Sequence, residues 1–213
     1  MNAKPILFQG DMVRAILDGR KTQTRRVAKD AIGDATRENP LPMDKMKNPV
    51  GKVGNLLWVR ETFDPYLTGK QENPNRLYAR VEYKCDGNKE EKDITPETKR
   101  KLDTSESKSW TPPIHMPRWA SRITLKITDV RVERVQDISG PDCCAEGIQF
   151  NRLGDGPPLK GNQWKETRKA FAQLWNSINT DTPHCWEDNP WVWAITFEPI
   201  FENIDEILAK EAT

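Results

Sequence analysis

No stretch of the 213-residue chain approaches the roughly 18 consecutive apolar residues of a membrane-spanning helix. The first residues, Met1 to Leu7, lack the long apolar segment and small-residue cleavage site of a signal peptide. These absences lead to the expectation of a soluble, cytoplasmic protein with no membrane partner. Histidine is scarce, with His115 and His184 the only two, so His-based catalysis would have to use an isolated residue. The four cysteines (Cys85, Cys143, Cys144, Cys185) show no CxxC spacing and no paired histidines beside them. A zinc site and a disulfide framework are therefore not expected, nor is any other metal or cofactor. Neither sign of charge dominates: 33 Lys and Arg face 32 Asp and Glu, a net charge of +1. With 36% hydrophobic residues the chain is long enough to bury a real core, and a single domain over 1–213 is expected.

What is present is unevenly placed. Residues 1–30 carry Lys4, Arg14, Arg20, Lys21, Arg25, Arg26 and Lys29 against three acidic side chains, whereas residues 187–213 are acidic apart from Lys210. Such a chain can offer an anion-binding face without being sticky throughout; scattered, solvated charge is the plainer alternative.

The spacing of Met12, Val13, Ile16 and Leu17 predicts a helix over 9–20, with Asp11 as N-cap candidate and Gly19 as C-cap. A basic turn, Arg20 to Arg26, leads out of it. Strands are predicted at Leu56 to Phe63, Arg76 to Tyr83, Arg122 to Val135 and Trp191 to Ile200. A short helix opens at Ser139-Gly140-Pro141 and ends at Gly147. A longer one over 165–178 carries Phe171, Leu174, Trp175 and Ile178 on one face. Residues 28–52, 84–112 and 148–164 read as insertions, of which 84–109, densely charged and without an aromatic residue, reads as solvated and mobile. The element order shows no βαβ alternation, which points to an α+β fold: a small mixed barrel or curved sheet with flanking helices.

Three places offer chemistry. If helical geometry continues past Gly19, Lys21 and Thr24 share a face. A lysine crowded by Arg20, Arg25 and Arg26 can lose its proton near neutral pH and serve as base for a Thr nucleophile. The same cluster suits a phosphate, or is simply a solvated turn. In Ile114 to Arg122, Arg118 and Arg122 bracket Trp119 beside Pro112, Pro113 and Pro117. An indole between guanidinium groups can hold an unpaired base; alternatively Trp119 is core and the arginines pair with surface acids. Glu146 can act as general acid or base, pair with Lys21, or be an ordinary glutamate near a helix end; Glu61, beside Arg60, has the same status.

Read together, Ala15-Ile16-Leu17-Asp18-Gly19-Arg20-Lys21-Thr22-Gln23-Thr24-Arg25 resembles the ILxGxKTxTxR signature of the ASCH domain family, in the PUA-like superfamily. The resemblance extends through Val53 to Glu61, Ile138 to Ile148 and Trp191 to Glu198. The HMPRWASR stretch is similar to larger ASCH proteins of phages and prophages. Asn55 stands where the family pattern usually has Asp. The resemblance implies a PUA-like mixed β-barrel with flanking helices and large loop insertions, and RNA or a modified nucleoside as partner. Small bacterial members include an amidohydrolase of N4-acetylcytidine that uses a Lys, a Thr and a Glu. By motif these are Lys21, Thr24 and Glu146, as base, nucleophile and acid; Arg20, Arg25, Arg26, Glu61, Arg118, Trp119 and Arg122 would contact the substrate or RNA. The alternatives are a non-catalytic RNA-binding module and a metal-independent ribonuclease.

Overall fold

The structure, a computed structural model, describes residues 3–28, 48–67, 76–103, 110–149, 162–179 and 182–211. The chain forms two compact units, each assembled from segments distant in sequence. The first comprises Met1–Arg14, Asn55–Lys126 and Pro199–Thr213; the second comprises Ala15–Gly54 and Ile127–Glu198.

In the first unit, strand β1 (Ala3–Leu7) runs parallel to β3 (Leu56–Arg60), with Ala3 opposite Leu56. The other edge of β3 pairs antiparallel with the start of β7 (Thr124–Arg134), Leu57 facing Leu125. A second, antiparallel sheet has the order β4 (Phe63–Tyr66), β5 (Tyr78–Tyr83), β6 (Lys89–Asp93). Period-2 alternation explains most of β5: Ala79, Val81 and Tyr83 are buried while Arg80 and Glu82 are only partly so. Phe63, Val81, Tyr83, Met116 and Ala120 form one core cluster, with Trp119 packed against it. Leu56 and Trp58 form another with Ile204, the first residue of α5 (Ile204–Glu211).

In the second unit, β2 (Gln23–Val27) pairs antiparallel with β8 (Trp191–Ile200), which lies between β2 and β7. Helix α3 (Gly140–Ala145) and helix α4 (Asn162–Ile178) cover this sheet. Phe171 and Trp175 of α4 pack with Val135, Ile138, Cys143 and Val192. Truncating either aromatic would cost about 3–5 kcal/mol, so this cluster anchors α3 and α4 over β2. Leu174 stays partly exposed and Ile178 is 40% exposed, so the predicted apolar stripe is only half used.

Helix α1 (Gly10–Leu17) passes from the first unit into the second. Its first turn hangs on the Gln9 carbonyl, which accepts from Met12 and Val13, so Asp11 lies inside the first turn and is not the cap. Gly19, at φ +71°, closes it with an N–H to the Ile16 carbonyl.

The α+β class expected from the sequence is the class observed. Two expectations are corrected. The basic segment does not prolong the helix: Gln23 to Val27 is extended, because β8 supplies its backbone partners. The charged segment 84–109, expected to be solvated and mobile, contains β6, paired with β5, and α2 (Pro96–Asp103) within its described residues, 84–103. Charge alone misled there: β6 pairs through its backbone, and α2 buries no residue, so neither needs an apolar pattern. Of the other expected insertions, residues 29–47 and 150–161 lie outside the described residues. No helix among the described residues is long and apolar enough to cross a membrane.

Candidate functional site

Lys21 is placed by the end of α1. The N–H groups of Arg20 and Lys21 both donate to the Ala15 carbonyl, turning the chain out of the helix. Thr22 then donates to the Ala145 carbonyl at 2.8 Å and accepts from Phe197 at 2.9 Å, which pins the segment between α3 and β8. Glu146 is placed just as locally. Ser139 caps α3 by accepting from the Asp142 N–H, and Glu146, at the other end, donates its N–H to the Asp142 carbonyl. The two backbones meet in an antiparallel bridge between Lys21 and Glu146.

The side chains meet as well. Lys21, with 0% of its surface exposed, places Nζ 2.7 Å from Glu146 Oε2. Nζ also donates to the Glu146 carbonyl at 2.9 Å and to the Gln23 carbonyl at 2.8 Å. These are three acceptors for the three N–H bonds of an ammonium. The other Glu146 oxygen, Oε1, accepts from Arg25 Nη1 at 3.0 Å. Arg25 is buried and fans out further: Nε donates to Glu133 Oε1 at 2.8 Å, and Nη2 lies 3.2 Å from Asp142 Oδ2. Arg131 takes the other oxygen of Glu133, Oε2 at 2.8 Å, and shares Asp142 Oδ2 with Arg25, at 2.8 Å. Three cations and three carboxylates are thus interleaved, which spreads the desolvation cost of a buried charge over paired neighbours.

Burial is the dominant influence on Lys21 and pushes its amine below the ordinary lysine range; Glu146 opposes this, while the Arg26 and Arg25 charges add to it. Desolvation likewise disfavours the charge of Arg26, partly offset by Glu146. Thr24 is buried next to these groups: the Gln23 carbonyl that accepts from Lys21 begins the peptide leading to Thr24. Alternation along β2 puts Thr24 and Arg26 on one face, opposite Ile195 and Trp193, and Arg25 on the other, toward α3 and the Phe171 ring. Arg20 sits at the outer edge, donating to the Gly147 carbonyl at 3.2 Å and pairing with Asp18 at 2.7 Å.

The fold therefore brings Arg20, Lys21, Thr24, Arg25, Arg26 and Glu146 together within the second unit. Glu61, Arg118, Trp119 and Arg122 belong to the first. There Arg122 grips Glu61 with two bonds, of 2.9 and 3.0 Å, pairs with Asp86 at 2.8 Å and lies 3.9 Å from the Tyr83 ring centroid. Cys85 donates to Glu61 at 3.3 Å. Desolvation raises the Glu61 carboxyl above its ordinary range against the pull of Arg122. Arg118 pairs with Asp205 at 2.7 Å, and Trp119 is partly buried against Phe63 and Met116.

Sequence reasoning missed Glu133, Asp142 and Arg131. Asp142 stood in a recognised helix start, but Glu133 and Arg131 are ordinary polar positions of an alternating strand. Nothing local marks them as partners of Arg25.

Neither a family model nor a curated protein matches the chain. Among solved structures, a crystal structure of an ASCH domain from Lactobacillus crispatus JV V101 is similar at 13% identity. That match covers 94% of this chain and 81% of the other, with a TM-score of 0.36. At that score the likeness carries no functional weight.

Proposed function

We propose that the second unit holds the reactive site of an ASCH-type protein that takes a nucleobase, nucleoside or RNA segment, and that it hydrolyses an N4-acylated cytidine-type amide. The observation that carries this reading is the buried 2.7 Å pair of Lys21 and Glu146, with Lys21 Nζ also bonded to the Gln23 carbonyl, one peptide before the buried Thr24. It unites the three residue types that the signature implies, two of them far apart in sequence.

One proton shared by Lys21 and Glu146 is enough for the chemistry. The reaction starts from a proton passed within the pair, with Lys21 as the neutral amine that its burial favours. Thr24 Oγ1 bonds the acyl carbon and its proton passes to the Lys21 amine. The C–N4 bond breaks, and N4 takes its proton from Glu146. Water then attacks the acyl-threonine and gives a proton to the Glu146 carboxylate. Thr24 leaves with a proton from Lys21, and a free carboxylic acid departs. The Lys21 and Thr22 N–H groups are taken up by the Ala15 and Ala145 carbonyls, which leaves the Arg26 guanidinium as the donor for the developing oxyanion.

Binding without turnover is the alternative favoured by one observation: the three bonds of Lys21 Nζ all end on the protein itself. The test is turnover of N4-acetylcytidine by the pure protein, followed by chromatography, beside Thr24→Ala, Thr24→Ser and Lys21→Ala. The proposal expects loss in Thr24→Ala and Lys21→Ala, partial retention in Thr24→Ser, and unchanged RNA affinity in Thr24→Ala. Full turnover by folded Thr24→Ala would exclude the nucleophile. No turnover by the wild type would leave the binding role.

A further inference from the structure

A second site lies in the same unit, away from the Lys21–Glu146 pair. A cavity of about 350 Å³ is lined by Gln136, Lys165, Arg168, Lys169, Ala172 and Trp186. We propose that it binds a nucleotide through an unstacked base and a phosphate, as presented by single-stranded RNA.

Four observations support it. Lys165, Arg168 and Lys169 stand at i, i+3 and i+4 of α4, so helical periodicity gathers three exposed cations on one side of the cavity. Trp186 offers a partly exposed aromatic plane on the other side, with the Arg168 guanidinium 5.7 Å from its ring centroid. This indole is fixed in place: its backbone N–H donates to Asn176 at 2.7 Å and its carbonyl accepts from Gln136 at 2.8 Å. The Phe171 ring packs edge-on at 6.0 Å. Finally, two acids next to Trp186 are engaged elsewhere, Glu187 with Asn176 and Asp188 with Cys185.

An anchored indole beside guanidinium and ammonium groups matches a base with its phosphate: the base stacks and the cations hold the charge. A plain polyanion would use the cations and leave Trp186 idle. Neither Lys21, Thr24 nor Glu146 lines the cavity, so this proposal stands or falls independently of deacylation.

The test is a fluorescence titration of the full chain with a labelled ten-uridine strand, repeated with free UMP as competitor and with inorganic polyphosphate. Trp186→Ala should weaken strand binding about tenfold or more, and Trp186→Phe should keep most of it. Lys165→Gln with Lys169→Gln, on an exposed helix face and safe for folding, should flatten the salt dependence by about 1.4 log units per log unit of salt, for two lost phosphate contacts. The lysine pair should leave N4-acetylcytidine turnover at its wild-type value. Displacement by UMP would show that one nucleotide suffices; strand binding without displacement would show that an extended strand is needed. Unchanged strand affinity in both the Trp186→Ala and the lysine variants would overturn the proposal. So would polyphosphate binding as tight as the strand with no dependence on position 186.

Discussion

Lys21 and Glu146, 125 positions apart, hold each other through a backbone bridge and a 2.7 Å ion pair in the same place. The backbone bridge fixes where the two charges meet, so neither side chain has to search for the other. Both are nearly free of solvent contact, which makes the pair sensitive to the loss of one partner.

Glu146→Ala leaves Lys21 buried beside Arg25 with no shared carboxylate. The expected loss of stability is about 3–5 kcal/mol in a urea titration. Replacing both members, Lys21→Met with Glu146→Leu, should recover much of that loss, because Arg25 keeps Glu133 and Asp142. A double-variant loss equal to the sum of the separate Lys21→Met and Glu146→Leu losses would show that the pair is not coupled.

Arg26 lowers the Lys21 pKa, acting in the same direction as burial. In Arg26→Gln the amine should hold its proton to higher pH. If neutral Lys21 is the base in turnover of N4-acetylcytidine, the acidic limb of the kcat/KM profile should move to higher pH. A limb that stays in place would remove Lys21 from the role of base.

Gly147 sits at φ +92°, and a Cβ there would lie 3.0 Å from Ala15 Cβ and 3.4 Å from Lys21 Cβ. Gly147→Ala should cost on the order of 1–3 kcal/mol by equilibrium unfolding, from backbone strain and crowding of Lys21 together. Wild-type stability in this variant would mean the left-handed turn is not required.

Burial pushes the thiols of Cys85 and Cys143 up to about 12 from an ordinary 9.0. Both should resist iodoacetamide at pH 8 in the folded protein and react on unfolding, as read by mass spectrometry. Between pH 9 and about 12 the folded state keeps thiol protons that the unfolded state releases, so these groups' contribution falls as pH rises through that window. Cys85→Ala should make the alkaline decline shallower, and an unchanged decline would count against the shift.

The amino-acid sequence by itself determined the local pieces. Val13 and Ile16 on one face with Gly19 behind them define α1; Ser139 and Gly147 bracket α3; the alternation through Leu125 and Ile127 makes β7. Each follows from steric and hydrogen-bonding preferences that act within a few residues. The conformation of Arg20 to Arg26 was not legible, because a basic segment has no strong preference of its own and takes the extended form that β8 templates. The six-membered charge network was not legible either. Glu133, Asp142 and Arg131 become partners of Arg25 only when β7, α3 and β2 are packed together. Tertiary structure also decided which arginine does what: Arg25 ties carboxylates, while Arg122 is taken up by Glu61 and Asp86. The physical reason is that burial sets the worth of a charge, and burial is a property of packing between distant segments, not of neighbours along the chain.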